Sequence, residues 1–437
     1  MRVLIIGGGG REHAIAWRLK REEPTIELIA APGNPGIGEL AECIPIAATE
    51  VELLVELARK RNVDLTVVGP EAPLELGIVD RFREVGLPIF GPTKAAAEIE
   101  TSKAFAKKLM LEDAIPTARA EVHTDVMRAR EAVRRYRTPV VVKASGLASG
   151  KGVIICSSLE EADRTIEDML EGNRFGSAGA EVLIEEYMEG EELSVFAITD
   201  GENFVVLPGL QDHKRLLDGD RGANTGGMGA YVPVALPMLY ERENTDDEET
   251  QRRIAGLIVG QVLRGLKARG RPFTGLLYAG LMITSKGPRV VEFNCRFGDP
   301  ETQALLPVLS MKPRMLDLML TIGRGQKISD SDNAPTTTIG ACVTTVLASA
   351  NYPDTPRTGD EITLPAAEEG IVVFHAGTAR DNEGRLVTAG GRVLAVSAIG
   401  DSVGSAKARS LAYAEKIRFE GRQLRTDIGW REIARHQ

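Results

Sequence analysis

The sequence lacks the features of membrane-spanning proteins and of proteins built around zinc or disulfides. It contains no apolar run of roughly eighteen residues, so no transmembrane helix is expected. The four cysteines lie far apart without a C-x-x-C pair, and the five histidines show no H-x-x-x-H spacing. These patterns argue against a disulfide framework and against a zinc site. We therefore expect four buried, reduced thiols in a cytoplasmic protein.

The sequence also has fewer basic than acidic residues. The chain has 53 Lys and Arg against 62 Asp and Glu, a net charge of −9, which argues against a nucleic-acid surface. An acidic protein can still bind anions where basic side chains and backbone N–H groups converge locally. The length of 437 residues is sufficient for about three domains of ~150 residues.

The order of strand-like and helix-like segments changes twice along the chain. The first hundred residues alternate the strands RVLIIG, IELIAAPG, DLTVVGPE and LPIFGPT with helical segments, including one helix near 93–112. This alternation predicts a doubly wound parallel sheet, with ligands bound beyond the carboxyl ends of its strands. From about 113 the pattern is α+β, and from about 330 it is rich in strands.

A glycine-rich loop with two lysines occurs in the stretch VVVKASGLASGKGVI. It differs from a P-loop, because its glycine spacing is one residue too short and Gly152 stands where a Ser or Thr should hold magnesium. The following VIIC predicts a strand, not a helix. We expect a hairpin whose loop, with Lys151, folds over bound phosphates. Lys143 ends a buried strand, where an ammonium is costly without an anion, and Lys103 is a further candidate cation.

The turn GGGGREHA follows the first strand. As a dinucleotide fingerprint it is incomplete, because Glu12 or, in the shifted register, His13 stands where the third glycine belongs. The second strand ends in PGN, without an acidic residue for a ribose. A strand–glycine–helix turn nevertheless favours a phosphate, and Arg11 adds a charged donor.

The segment RVVEFNCRFGDPE predicts a metal–nucleotide site. With a period of two residues, Glu292, Asn294 and Arg296 point to one face of the strand. A carboxylate and an amide oxygen suit Mg²⁺, which shares its ligands with phosphates. Arg296 suits a carboxylate or a phosphoryl oxygen.

Two further segments carry weaker signals. VLIEEYMEGEEL runs from an apolar strand into acidic residues that suit an adenosine. QDHKRLLDGDRGANTGGMGAY is a glycine-rich loop with Asp212, His213, Lys214 and Arg215 together, which allows close approach to a ligand.

Taken together, these motifs resemble the ATP-grasp ligases. VVKASGLASGKG, IEEYMEGEE, QDHKR, NTGGMGAY and VVEFNCRFGDPETQ carry that resemblance. With GGGGREHA, APGN, VVGPEAPL and IFGPTKAAAEIETSKAFAK, the chain is similar over nearly its whole length to the glycinamide ribonucleotide synthetase family. One departure is that Ser145 and Ser149 stand where the family loop commonly has Asp and Ala.

The resemblance implies a fold and an activity. It implies an N-terminal α/β domain (1–101), an ATP-grasp domain (102–329) with a lid at about 120–193, and a C-terminal strand-rich domain (330–437). It also implies an ATP-dependent carbon–nitrogen ligase, with Mg²⁺ or Mn²⁺, that joins glycine to 5-phosphoribosylamine through a glycyl phosphate. We expect a cytoplasmic monomer acting on small molecules, without nucleic acid or membrane.

The resemblance also assigns residues to roles. Expected catalytic residues are Lys151, Arg296 and Asp212. Expected nucleotide contacts are Lys103, Lys143, Gly150, Lys151, Gly152, Glu185, Glu186, Tyr187, Met188 and Glu192. Expected substrate contacts are Gly9, Gly10, Arg11, Glu12, Gly33, Asn34, Pro70, Glu71, Asp212, Lys214 and Arg296. Expected metal ligands are Glu292 and Asn294.

Three alternatives stay open. The first is another member of the ATP-grasp class, either a different carboxylate–amine ligase or a carboxylase-type subunit, and QDHKR and NTGGMGAY disfavour the carboxylase. A nicotinamide dehydrogenase is disfavoured by the incomplete glycine fingerprint. A non-catalytic nucleotide sensor is disfavoured by the retained Lys151, Glu292, Asn294 and Arg296.

Overall fold

The structure, a computed structural model, describes residues 1–148, 152–172, 176–235, 247–329 and 335–436. It confirms the predicted α/β and α+β multidomain fold, with one parallel sheet followed by antiparallel sheets. Within the described ranges no helix combines the length and apolarity needed to cross a bilayer.

The N-terminal region is a doubly wound sheet of five parallel strands in the order β3-β2-β1-β4-β5. Its elements are β1 (Arg2–Gly7), α1 (Gly10–Glu22), β2 (Glu27–Pro32), β3 (Glu42–Cys43), α2 (Val51–Lys60), β4 (Leu65–Val68), α3 (Glu71–Glu75), α4 (Ile78–Glu84), β5 (Ile89–Phe90) and α5 (Lys94–Thr101). The residues of β1 from Val3 to Ile6 are fully buried, as expected for a central strand covered on both faces.

The helix predicted near 93–112 is two helices, α5 and α6 (Lys103–Glu112). Ser102 separates them with an extended backbone, and its hydroxyl accepts a hydrogen bond from the N–H of Phe105 at 3.2 Å. A serine that caps a helix in this way ends the preceding one. The prediction of one continuous helix was therefore wrong, and the break presents the N-terminus of α6 at Lys103.

The next sheet has four antiparallel strands in the order β6-β9-β7-β8. Its elements are β6 (Ala120–His123), α7 (Val126–Val133), β7 (Val140–Ala144), β8 (Val153–Cys156), α8 (Leu159–Leu170) and β9 (Val182–Glu186). The helices α7 and α8 pack with one face of the sheet in a separate apolar core. The glycine-rich loop joins β7 to β8, as predicted.

The facing sheet has the order β11-β10-β16-β17, also antiparallel. Its strands and the elements around it are β10 (Glu191–Thr199), β11 (Phe204–Val206), α9 (Asp247–Ala268), β16 (Gly275–Thr284), β17 (Gly287–Asn294), α10 (Glu301–Leu305), β18 (Leu309–Ser310) and α11 (Met315–Gly323). The predicted hairpin that ends in RVVEFN is confirmed as β16 and β17.

The last large sheet takes strands from two distant parts of the chain, in the order β12-β15-β20-β24-β21. The early elements are β12 (Gln211–Asp212), β13 (Arg215–Leu217), β14 (Arg221–Asn224) and β15 (Gly229–Val232). The late elements are β19 (Thr337–Thr338), β20 (Ala341–Ala348), β21 (Ile371–His375), β22 (Thr378–Arg380), β23 (Leu386–Thr388), β24 (Arg392–Gly400), α12 (Val403–Ala414) and α13 (Trp430–Arg435). Since β15 pairs with β20, the strand-rich C-terminal region includes the segment that carries Asp212.

All four cysteines are free thiols, but the expectation that all are buried was wrong for Cys43. Cys43 lies on β3, a two-residue strand at the edge of the parallel sheet, where both residues are exposed. An edge strand this short buries neither face.

Candidate active site

Glu292 and Asn294 lie on one face of β17, as the two-residue period predicts. They pair with Gly280 and Tyr278 of β16. Four cationic side chains surround the carboxylate of Glu292: Lys214, Lys143, Lys103 and Arg296. Burial disfavours the charged form of Glu292, yet these cations outweigh burial and hold its pKa below the usual range. An ionised carboxylate beside an amide oxygen is therefore available to a divalent cation.

Glu185 lies between two lysines beneath this face. Its carboxylate is 2.7 Å from Nζ of Lys143 and 3.1 Å from Nζ of Lys107, and all three side chains are buried. Burial opposes ionisation of Glu185, but the two ammonium groups keep its pKa below the usual range. We predicted that the buried ammonium of Lys143 would need an anion beside it. In the structure that anion is the carboxylate of Glu185.

Lys103 stands at the start of α6 against the glycine-rich loop. Its Nζ donates to the carbonyl oxygen of Gly146 at 3.1 Å, and its backbone N–H donates to the carbonyl of Ser145 at 2.9 Å. The Ser145 hydroxyl accepts from the N–H of Ala104 at 3.2 Å. Burial lowers the pKa of Lys103, partly offset by the charge of Glu292. Ser145 therefore joins the loop to the helix that carries this lysine.

Asp212 and Lys214 enter the site from β12 and the loop after it. The Nζ of Lys214 lies 2.7 Å from Oε2 of Glu192 and 3.9 Å from Oδ1 of Asp212. That Oδ1 atom is buried and accepts no hydrogen bond among the described residues. Burial raises the pKa of Asp212 to about 8, opposed by Lys214 and reinforced by the nearby carboxylates, Glu301 foremost. An unsatisfied buried oxygen of this kind calls for a ligand, a water or a proton.

Arg296 lies beyond the end of β17 and is held by two carboxylates. Its guanidinium is 3.1 Å from Oε2 of Glu71 and 2.9 Å from Oε1 of Glu100. Glu100 also accepts the backbone N–H of Cys295 at 2.8 Å. Arg296 thus connects the end of β17, which carries the predicted metal ligands, to Glu71, a predicted substrate contact of the N-terminal region.

The glycine turn before α1 is occupied by carboxylates of the protein itself. The N–H of Gly9 donates to Oε2 of Glu12 at 2.6 Å, and the N–H of Arg11 donates to Oδ2 of Asp299 at 3.4 Å. The guanidinium of Arg11 contacts Glu12 at 2.5 Å and donates to the carbonyl of Phe297 at 3.1 Å. The turn therefore lies next to Arg296, as a shared site requires, but its N–H donors are partly satisfied without a phosphate. The assignment of the sugar phosphate to this turn stays a prediction.

The other predicted substrate contacts surround the same turn. The amide nitrogen of Asn34 donates to the carbonyls of Gly8 at 2.9 Å and His375 at 2.8 Å. Gly33 has a φ of +73°, in the left-handed region that favours glycine. A Cβ on Gly10 would lie 2.5 Å from Nε2 of Gln303, so a larger residue there would have to displace that side-chain amide. Pro70 precedes the first residue of α3.

The remaining predicted nucleotide contacts lie outside the described residues or on or next to β8 and β9. Gly150 and Lys151 lie outside the described residues, while the carbonyl of Gly152 accepts from the N–H of Ala144 at 2.8 Å. Tyr187 is 40% exposed and Met188 is half-buried after the end of β9. Glu186 accepts from the N–H of Arg119 at 2.9 Å at the edge of the lid sheet.

Sequence reasoning missed several residues that complete the site. Lys107 lies four residues after Lys103, on the same face of one helix, and this spacing was a usable signal. The others are acidic or basic residues whose partners are far away in sequence, so no local pattern marked them. They are Glu100, Asp299, Glu301 and Arg392, the last of which donates to the carbonyl oxygen of Asp299 at 2.6 Å.

The arrangement concentrates positive charge around a small oxygen-donor set. The lysines at 103, 143 and 214, with Arg296, face Glu292 from different elements. The described residues contain no cluster of three or more His, Cys, Asp or Glu placed to hold a metal. Mg²⁺ is commonly held by one or two carboxylates plus phosphates, so a Glu–Asn pair suits a metal that arrives with a nucleotide. The site can therefore bind a polyphosphate and its counter-ion.

Comparison with known proteins agrees with this geometry. Three family models match: the N domain, the ATP-grasp (A) domain and the C domain of phosphoribosylglycinamide synthetase, over residues 1–100, 101–302 and 342–431. The phosphoribosylamine–glycine ligases of Xanthomonas axonopodis and Vibrio vulnificus are each 47% identical over 446 residues. These matches cover 100% of this chain and 99% or 100% of the relative.

Solved structures show the same relationship. The crystal structure of a phosphoribosylamine–glycine ligase from Thermotoga maritima superposes with a TM-score of 0.83 at 37% identity, covering 98% of this chain and 100% of that one. A biotin carboxylase domain from Hydrogenobacter thermophilus gives a TM-score of 0.72 at 19% identity, covering 97% and 91%, which shows the shared fold alone. The three family models and these full-length relatives establish that the chain belongs to the phosphoribosylglycinamide synthetase family of ATP-grasp enzymes.

Proposed function

We propose that this protein is an ATP-dependent ligase that joins glycine to 5-phosphoribosylamine, giving glycinamide ribonucleotide, ADP and phosphate in de novo purine biosynthesis. One observation carries the proposal: relatives named phosphoribosylamine–glycine ligase match the chain end to end at 46–47% identity. The cations around Glu292 provide the chemistry that such a reaction needs. Carboxylase-type ATP-grasp enzymes are more distant, at 14–19% identity.

The residues on β17 fit a divalent cation bound with ATP. Glu292 is held ionised by its cationic neighbours, Asn294 offers an amide oxygen on the same face, and Asp212 has a buried oxygen with no hydrogen-bond partner among the described residues. We assign Glu292 and Asn294 as the ligands, with Mg²⁺ as the metal and Mn²⁺ as an alternative. When bound, such a cation neutralises phosphate charge and aligns the phosphates.

The protein's part in the first step is electrostatic. Glycine's carboxylate is a poor electrophile, because its leaving group would be oxide. Its attack on the γ-phosphorus of ATP releases ADP and forms a glycyl phosphate, which has phosphate as its leaving group. Phosphoryl transfer depends on positioning and charge neutralisation more than on covalent help. Lys103, Lys143 and Arg296 supply that charge. The pairing of Lys143 with Glu185 holds its ammonium at the base of the site before ATP arrives.

In the second step the amine of phosphoribosylamine attacks the glycyl carbonyl, and phosphate leaves. We assign this substrate to the turn before α1, and we assign contact with the triphosphate to Gly150 and Lys151, which lie outside the described residues. Arg296 lies between the two regions because it contacts Glu71 and follows β17. Exclusion of water from the site would protect the acyl phosphate from hydrolysis. We place the enzyme in the cytoplasm and expect it to act as a monomer.

The test is ADP release from purified protein with ATP, Mg²⁺ and glycine, with and without phosphoribosylamine generated in place. Release that requires both co-substrates, with glycinamide ribonucleotide detected by mass spectrometry, supports the proposal. ADP release unaffected by either co-substrate would overturn it.

Glu292→Gln is expected to lower kcat by about 10²-fold or more, because it removes a charged metal ligand from a site that works by charge neutralisation. The change is nearly isosteric, so the circular dichroism spectrum and melting temperature are expected to stay close to the wild type. Glu56→Gln, on the exposed face of α2, is the control and is expected to retain full activity. If Glu292→Gln had the same activity as the wild type, Glu292 would not be a metal ligand of the reaction.

A further inference from the structure

The C-terminal segment 425–431 is fastened to the loop that follows Asp212. We call this segment the C-terminal clasp, and residues 213–220, which include the short strand β13, the lysine loop. Their polar contacts are Arg425 Nη1 to Asp220 Oδ1 at 2.9 Å, Arg425 Nη1 to the carbonyl of Arg215 at 3.1 Å, the N–H of Thr426 to Asp218 Oδ1 at 2.9 Å, and the N–H of Gly219 to Asp427 Oδ2 at 2.8 Å. The contacts join residues more than 200 positions apart, so they fix tertiary placement and not a local turn.

The clasp reaches the residue between the two predicted functional side chains. His213 stands between Asp212 and Lys214, and its side chain is fully buried. Its Nε2 accepts the backbone N–H of Gly429 at 3.0 Å, and its Nδ1 lies 3.6 Å from Oδ1 of Asp220. Because Asp212, His213 and Lys214 are consecutive, any rotation of the histidine backbone also moves the side chains on either side.

Arg425 is the centre of these contacts. Its side chain has no solvent exposure, and its guanidinium binds both oxygens of Asp427, at 2.7 and 2.8 Å, as well as Asp220. A buried guanidinium is stable only when its charge is paired in good geometry, so small displacements of these partners are costly. The planar fork of arginine fits this arrangement in a way that lysine does not.

The other end of the lysine loop is held by the facing sheet. Lys214 reaches across to Glu192 at the start of β10, and its charge faces Glu292. The lysine loop therefore has contacts on two sides: with the C-terminal clasp through Asp220, and with β10 through Lys214. Its path fixes where the ammonium of Lys214 and the unsatisfied oxygen of Asp212 stand.

We propose that Arg425 is a positioning residue for the ligase reaction. Through Asp220 and His213 it fixes the lysine loop, and thereby sets Asp212 and Lys214 in the active site, although it touches no substrate itself. The inference rests on the proposed function for the role of Lys214, and on the contacts above for the role of Arg425.

The experiment compares Arg425→Lys, Asp220→Asn and the double variant with a matched control, Arg422→Lys. Arg422 belongs to the same C-terminal stretch, but its guanidinium donates to backbone carbonyls of its own region, such as that of Ala414 at 2.8 Å. We measure kcat with saturating substrates at 20 °C, after circular dichroism has shown each variant to be fully folded, and measure the melting temperature separately.

Under the proposal, Arg425→Lys and Asp220→Asn each lower kcat by about 10-fold or more, since small misplacements of site residues reduce turnover strongly. The double variant is no slower than the slower single variant, because both changes break one path. The kcat of Arg422→Lys is expected to stay within about 2-fold of the wild-type value, because among the described residues Arg422 has no contact with the path from Arg425 to the lysine loop.

Two results would overturn the proposal. One is a lower melting temperature with unchanged kcat in the folded variants, which is the behaviour of a purely structural residue. The other is a double variant whose loss equals the product of the single losses. If the wild type itself releases no ADP, the proposed function fails separately. The same variants are then compared by their affinity for ATP and Mg²⁺ in isothermal titration, where unchanged affinity of Arg425→Lys overturns the inference and a loss confined to the clasp variants supports it.

Discussion

At the scale of single residues, the site places like charges closer than water would favour. The carboxyl group of Asp212 is buried near those of Glu301, Glu192 and Glu292, with Lys214 as the nearest cation. Burial lowers the pKa of Lys214, but the charges of Asp212, Glu192 and Glu292 outweigh burial and raise that pKa well above the usual value. Perturbed titration of this kind is typical of sites that bind charged ligands. The proton on Asp212 is therefore linked to the stability of the folded protein.

We expect the melting temperature to fall more steeply between pH 5 and pH 8 in the wild type than in Asp212→Asn. Burial, with the neighbouring carboxylates, raises the pKa of Asp212 to about 8 against the opposing charge of Lys214. The folded protein thus holds a proton that the unfolded chain has lost, and stability declines as pH rises from the unfolded pKa through about 8. Differential scanning calorimetry at several pH values measures the effect. Asp168→Asn, on the exposed face of α8, is the control and is expected to keep the wild-type pH dependence. The expectation would be contradicted if Asp212→Asn also showed the wild-type dependence of melting temperature on pH.

At the scale of elements, the turn before α1 is held in place by an asparagine from the next loop. Asn34 donates to the carbonyl of Gly8 in that turn and to the carbonyl of His375 at the end of β21. Its own side-chain oxygen accepts the N–H of Ile37 at 2.9 Å. One buried amide thus fixes the relation of α1, the loop after β2 and the C-terminal sheet.

Asn34→Asp is expected to destabilise the protein by about 2 kcal/mol or more, since two buried carbonyls lose their donor and face a carboxylate instead. A lower melting temperature and faster proteolysis between the N-terminal and C-terminal regions measure the loss. Asn62→Asp is the matched control: Asn62 is exposed with a φ of 48°, a conformation that aspartate also adopts. Equal stability of the two variants would show that the Asn34 amide does not join these elements.

At the scale of the whole molecule, the region carrying Asp212 depends on strands that come much later in the chain. Ala230, Tyr231 and Val232 of β15 are fully buried, and the strand pairs with β20 between Ala341 and Ala348. Without the late strands, β15 would present its backbone and its apolar side chains to water. We therefore expect that the central region does not fold independently of the late strands.

A fragment ending at residue 329 is expected to aggregate or to be digested rapidly after β11, because it lacks the partners of β15. Size-exclusion chromatography and limited proteolysis against the full chain test this expectation. Co-expression with residues 330–437 is expected to restore a soluble complex that releases ADP. A monomeric fragment that binds ATP as tightly as the full chain would refute the dependence.

Local sequence patterns correctly predicted the features that depend on neighbouring residues in the chain. The alternation of strands and helices gave the parallel sheet, and the period of two residues placed Glu292 and Asn294 on one face of β17. The patterns did not show that Glu185 would lie between Lys143 and Lys107, because that contact depends on how α6 packs beneath the lid strands. They also missed the single-residue break at Ser102, where a capping hydrogen bond outweighs a continuous helical pattern.

The tie between Asp220 and Arg425 also orders events during synthesis. The two residues are 205 positions apart, so at about 5–20 residues per second the lysine loop exists for roughly 10–40 seconds before Arg425 is synthesised. In the later part of that interval a nascent chain already holds Lys214, Glu192 and the predicted metal ligands Glu292 and Asn294, but the contact of Asp220 with Arg425 has not formed. Under the proposed role of Arg425, we expect products truncated before residue 425 to be inactive even though most of the polypeptide has been made.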